Sequence, residues 1–115
     1  MLAREKLRLY RKRKDKSVVQ LCNDLSISKA AFYKIESGEL NLSYQILRRF
    51  ADALPLSESE YLEICFLLAN EKGKVEIPAE KTGTFGKRFL SALSLKVGDL
   101  KECDFEKMNQ VLIHG

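Results

Sequence analysis

Very few side chains in this sequence are equipped for covalent or acid–base chemistry. The single histidine, His114, lies next to the C-terminus, where a solvated tail position is expected rather than a general base. Cys22, Cys65 and Cys103 are odd in number, widely spaced and without a CxxC pair, so neither a disulfide framework nor a zinc site is expected; all three read as reduced and packed. Gly83-Thr84-Phe85-Gly86-Lys87-Arg88 looks like half a phosphate-binding loop, but its spacing is wrong and no Ser or Thr follows the lysine. It reads as a linker or helix start. No catalytic residue, metal or cofactor is expected, and an enzyme is not. What does recur is cationic and short hydrogen-bonding groups. Residues 1–16 hold eight basic side chains against Glu5 and Asp15, a local charge of +6 in a chain of formal charge +4. A second set, Ser28, Lys29, Tyr33, Lys34 and Ser37, falls within one short segment. Such groups can donate to phosphate oxygens and to base edges, or merely keep a helix face in water.

Those groups need rigid elements to hold them, and helix punctuation supplies the elements. Ala3, Leu7 and Tyr10 fall at helical spacing, so a helix over about residues 3 to 14 buries that stripe and presents Arg4, Arg8 and Lys12 to water. Ser17-Val18-Val19-Gln20 has the form of a capping box, followed by a short helix to Leu25 that buries Leu21, Cys22 and Leu25. Only Ser26 and Ile27 separate it from the next cap, Ser28. Ala31, Phe32 and Ile35 then form a stripe ending at Gly38, a residue suited to the left-handed position that closes a helix. Ile27 and Phe32 have the spacing of a hydrophobic staple, as do Leu42 and Leu47 around a further cap at Ser43. That fourth helix carries Leu47, Phe50, Ala51 and Leu54 and is stopped by Pro55, and Ser57-Glu58-Ser59-Glu60 opens a fifth through about Asn70.

Leu21-Cys22, the turn Leu25-Ser26-Ile27-Ser28, the ending Ile35-Glu36-Ser37-Gly38 and the lead Asn41-Leu42-Ser43 resemble the Cro and lambda-repressor-like (Xre) helix-turn-helix family. With its flanking helices the resemblance covers about residues 3 to 68. It implies an all-α, five-helix repressor-like domain over residues 1–70 that binds double-stranded DNA, and a transcriptional regulator acting as a repressor. A helix just long enough to enter the major groove exposes what its apolar stripe leaves over, here Ser28, Lys29, Ala30, Tyr33 and Lys34 as candidate base readers. The resemblance puts phosphate contacts on Ser17, the Val18 amide, Ser37, Asn41 and Ser43, and Arg11, Lys12, Lys14 and Lys16 add a counterion-release contribution. It also implies an Arg11–Glu36 pair, with two unconnected surface residues as the alternative. The sequence departs from the family pattern at Val18, where many relatives carry glutamine, at Ser26, often glycine, and at Leu42, often proline. Ala30 and Ala31 make the reading helix smooth. That smoothness suits a second reading, in which the same frame binds a protein, as an anti-repressor, an antitoxin or an enzyme inhibitor does.

The last third is expected to be a linker, residues 71–83, and a short helical extension, residues 84–115. Lys74 to Ile77 alternates and could form a short strand. Phe85, Phe89, Ala92 and Leu93 fit one helical face, and Phe105, Met108 and Leu112 fit another after a cap at Asp104. Both segments are too short to bury themselves. Helix 5 offers surplus apolar surface in Tyr61, Leu62, Ile64, Cys65, Phe66, Leu67 and Leu68. Either the extension folds back onto it, or Tyr61, Ile64, Cys65, Leu68, Phe85 and Phe89 take part in a homodimer interface, which is favoured. No stretch approaches the roughly 18 to 20 apolar residues of a membrane helix, so no membrane partner and a cytoplasmic location are expected.

Overall fold

Serine hydroxyls begin four of the helices, each satisfying an amide that the helix itself leaves without an acceptor. Ser17 Oγ accepts from the Gln20 amide at 3.1 Å while Gln20 Oε1 accepts from the Ser17 amide at 3.3 Å. Ser57 and Glu60 repeat the exchange at 3.1 and 2.8 Å. Ser28 and Ser43 accept from Ala31 and Ile46, both at 3.1 Å. The computed structural model describes residues 1–114. The side chain of His114, expected in a solvated tail, lies outside the described residues. Helix α1 spans Ala3–Arg13, α2 Val18–Leu25, α3 Lys29–Ser37, α4 Tyr44–Ala53, α5 Glu58–Lys72, α6 Thr84–Lys96 and α7 Glu102–His114, with no strand among the described residues. None of these helices is long and apolar enough to cross a membrane.

The chain divides into two units, Met1–Glu76 and the residues from Ile77 on. The first has a single core. Ala3, Leu7 and Tyr10 of α1, Leu21, Cys22 and Leu25 of α2, and Phe32 and Ile35 of α3 meet Leu42, Tyr44, Leu47, Phe50 and Leu54 around α4, with Ile64 and Leu68 of α5. Each set follows the helical stripe of its segment, which is why amphipathic spacing locates it. Polar groups at the rim tie α1 to α5. Tyr10 donates to Glu63 at 2.5 Å, Lys6 pairs with Glu63 at 2.9 Å and Lys14 with Glu60 at 3.0 Å. The Tyr10 hydroxyl, with Lys6 second, holds the Glu63 carboxyl below the usual range.

The predicted turn after α2 and the predicted end of α3 both take left-handed backbone. Ser26, with φ 55°, closes α2, and Gly38, with φ 89°, closes α3. A side chain at position 38 would be strained and would also put its Cβ 2.9 Å from Arg4 Nε. Gly38→Ala is therefore expected to lower stability by about 1–2 kcal/mol, read as a shift in the urea midpoint. Gly73→Ala, with φ 69° but nothing near its Cβ, separates the strain from the clash.

Several expectations for the later segments are corrected. Helix α5 runs past Asn70 to Lys72 and closes on Gly73, so the segment expected to be linker from 71 begins as helix. Lys74 to Ile77 forms no strand, because no second extended segment among the described residues offers it a ladder. Instead the Lys74 carbonyl accepts from the Tyr44 hydroxyl at 2.7 Å. In the second unit a 3-10 turn, Ala79–Lys81, precedes α6, and another, Val97–Asp99, follows it. The Gly83 to Arg88 run opens α6. Asp104 is not the cap of α7. It stands inside the first turn and its carboxylate accepts from the Lys101 amide at 3.0 Å. Cys103, expected packed, is exposed, whereas Cys22 is buried and Cys65 half-buried.

Candidate nucleic-acid interface

Phe32 and Ile35 are buried, and that pair decides which way α3 faces. With those two side chains in the core, Ser28, Lys29, Ala30, Tyr33, Lys34 and Ser37 all lie on the exposed side of the helix. The five predicted readers thus share one accessible surface. Tyr33 is 53% exposed, yet its ring meets Phe32 edge-on with centroids 5.8 Å apart, so a core residue restrains it.

Helix α1 holds the far end of α3. Arg11 makes a two-pronged pair with Glu36, Nε to Oε1 at 2.8 Å and Nη2 to Oε2 at 3.3 Å. The side chains are only 14% and 13% exposed, and the Arg11 guanidinium also lies 5.5 Å from the Phe32 ring centroid. Arg4 donates to the Glu36 backbone carbonyl at 3.1 Å. That carbonyl belongs to the negative end of the α3 dipole, where a cation is favoured. Arg4 and Arg11 sit on the same flank of α1, so one helix face fixes the C-terminal turn of α3 twice. The Arg11–Glu36 contact is the pair that the sequence left open. The role of Arg4, expected in water, was missed; its only local signal is its seven-residue spacing from Arg11.

The basic segment at the end of α1 is more divided than its composition suggests. Lys12 is exposed. Arg11, expected at phosphate, is committed to Glu36. Lys14 is paired with Glu60, and Lys16 with Asp24 at 2.8 Å while donating to the Ala53 carbonyl at 2.8 Å. All three thus have a carboxylate partner within the fold, the Arg11 pair being the least exposed and the Lys16 pair the most. Arg8 and Arg13, which the sequence did not single out for phosphate, are exposed on the same helix.

The remaining phosphate candidates are short groups at helix ends. The first helical bond of α2 runs from the Leu21 amide to the Ser17 carbonyl at 3.1 Å, so the Val18 and Val19 amides precede the ladder. The half-buried Val18 side chain packs against the core, a role for valine at the position where the family pattern has glutamine. Leu42 is likewise a core residue. Ser37 is exposed, donates to the Lys34 carbonyl at 3.1 Å and accepts from the Glu39 amide at 3.4 Å. Asn41 is exposed, and Ser43 is half-buried with its hydroxyl spent on the cap of α4. Leu40, 44% exposed in the same loop, was not foreseen.

The residues expected at a dimer or extension interface fall into separate classes. Ile64 and Leu68 belong wholly to the core of the first unit and leave no side-chain surface for a partner. Tyr61 and Cys65 pack partly against that core, and burial pushes the Tyr61 hydroxyl up to about 12. The surplus on α5 reduces to Leu62 and Phe66, the latter 66% exposed. Phe85 and Phe89 are exposed on α6.

A family model described as a helix-turn-helix domain matches residues 3–63, over half of the 115-residue chain. No curated protein and no solved structure matches the chain significantly.

Proposed function

The chain belongs to the helix-turn-helix domain family, and from that premise we propose that it is a sequence-specific double-stranded DNA-binding regulator of the Cro/lambda-repressor-like (Xre) type. It acts as a dimeric repressor. Two α3 helices enter successive major grooves about 34 Å apart, and occupancy blocks the promoter. The observation that carries this reading is the orientation of α3, whose buried Phe32 and Ile35 leave Lys29, Ala30, Tyr33 and Lys34 together on the accessible side. Lysines donate to guanine O6 and N7, the Tyr33 hydroxyl to an acceptor, and the Ala30 methyl meets a thymine methyl. Free amides at the start of α2 and the Ser37–Asn41 loop hold phosphates on either side.

The test is selection from a random duplex library with purified protein at physiological salt. An enriched inverted repeat with half-sites one helical turn apart supports the reading. Salt-sensitive retention without enrichment overturns it in favour of the protein-binding scaffold. One observation favours that second reading: Arg11, Lys14 and Lys16 are held by Glu36, Glu60 and Asp24, which thins the charge left for DNA.

The division of the basic segment gives its own expectation. Lys12→Met should reduce the slope of log affinity against log salt by about 1, while Lys16→Met should leave the slope unchanged and lower the melting temperature. Titrations at several salt concentrations read the first effect and thermal melts the second.

A further inference from the structure

The second unit carries helices with large apolar side chains and no core. Phe85, Phe89 and Leu95 on α6, and Phe105, Val111, Leu112 and Ile113 on α7, are all exposed, Phe85 and Leu112 each to 83%. None of the described side chains in this unit is buried, and among the described residues α6 and α7 make no contact with each other. Helices of this length are marginal alone in water and gain most of their stability from a packed apolar face. Their charges differ in sign. Helix α6 carries Lys87, Arg88 and Lys96 and no acid; α7 carries Glu102, Asp104 and Glu106 against Lys107. Pairing α6 with α6, or α7 with α7, therefore sets like charges together, whereas α6 against α7 is complementary.

We infer that the apolar faces of α6 and α7 are covered by a second copy of this chain, α6 of each copy lying against α7 of the other in a symmetric four-helix arrangement. This rests on the dimeric reading above and names the surface that produces it. The area agrees. On the two faces, Phe85, Phe89, Phe105 and Leu112 expose roughly 500–600 Å² per copy, which doubled across a two-fold axis comes to about 1,000–1,200 Å², the lower end of specific interfaces. A two-fold axis repeats each α6–α7 contact, so the opposite net charges of the two helices meet twice.

The experiment uses three forms of the full chain in sedimentation equilibrium: wild type, Arg88→Glu/Lys96→Glu on α6, and Glu102→Lys/Glu106→Lys on α7. These four positions are exposed. The wild type is expected to dimerise, each variant alone to self-associate at least about tenfold more weakly, and an equimolar mixture to recover wild-type affinity, because both cross-contacts again join opposite charges. Variants that dimerise as wild type overturn the α6–α7 exchange and leave the dimeric reading standing. The exchange is equally overturned if only one of the two variants is weakened, or if both are weakened and mixing restores nothing. A wild type that remains monomeric at about 100 µM overturns both readings, since an interface of this size should saturate well below that concentration.

Discussion

Reversing both reading lysines, Lys29→Glu/Lys34→Glu, is expected to weaken binding to the selected duplex by at least about 100-fold at physiological salt. Each substitution removes a donor to a base edge or phosphate and sets a carboxylate against the phosphate field. Both side chains are exposed on α3, and neither takes part in an ion pair among the described residues. The fold should therefore be indifferent, with the circular dichroism spectrum and melting temperature near those of the wild type. Tyr33→Phe serves as the companion, testing the hydroxyl alone while keeping the ring on Phe32. Fluorescence anisotropy with the selected duplex reads the affinity. Wild-type binding by the double variant would remove α3 from the interface and direct attention to the exposed arginines of α1.

The second large effect is on stability. Phe32→Ala should cost about 3–5 kcal/mol, a large share of the 5–15 kcal/mol that holds a domain of this kind together. Phe32 is fully buried, its ring lies 5.9 Å from that of Phe50, and it supports both Tyr33 and the Arg11 guanidinium. Removing it leaves a cavity where α1, α3 and α4 converge, and it also loosens the residue that restrains a reader. Urea unfolding gives the loss directly. Phe32→Leu, which keeps most of the volume, should cost less than half as much. A loss below about 1 kcal/mol for Phe32→Ala would mean that α3 is not anchored through this ring.

The two predictions draw on different parts of what the chain makes legible. The starts of α2, α3, α4 and α5 are readable because a serine hydroxyl and an amide three residues on make the cap, and both lie in the same short stretch of sequence. The outward set on α3 is readable for a related reason: once Phe32 and Ile35 are assigned inward, helical geometry fixes the direction of every neighbour. Cap chemistry was misassigned at α7, where Asp104 works from inside the first turn. Either position for an aspartate satisfies the same local rules, so the pattern alone did not separate them.

By itself, then, the sequence determined the all-helical class, the boundaries of the first four helices within a residue or two, and the side of α3 that faces away from the core. These depend on hydrogen bonds and apolar spacings spanning three or four residues. Only the tertiary structure decided which cations are free. Lys12 and Lys14 look alike in the sequence, but Lys14 faces Glu60 on α5 and Lys12 faces water. It also decided that Ile64 and Leu68 are core while Phe66 is not, and that Arg4 grips the last turn of α3. The reason is that charge matching and burial are set by which elements meet across the core, and two residues far apart in the chain carry no local mark of being neighbours.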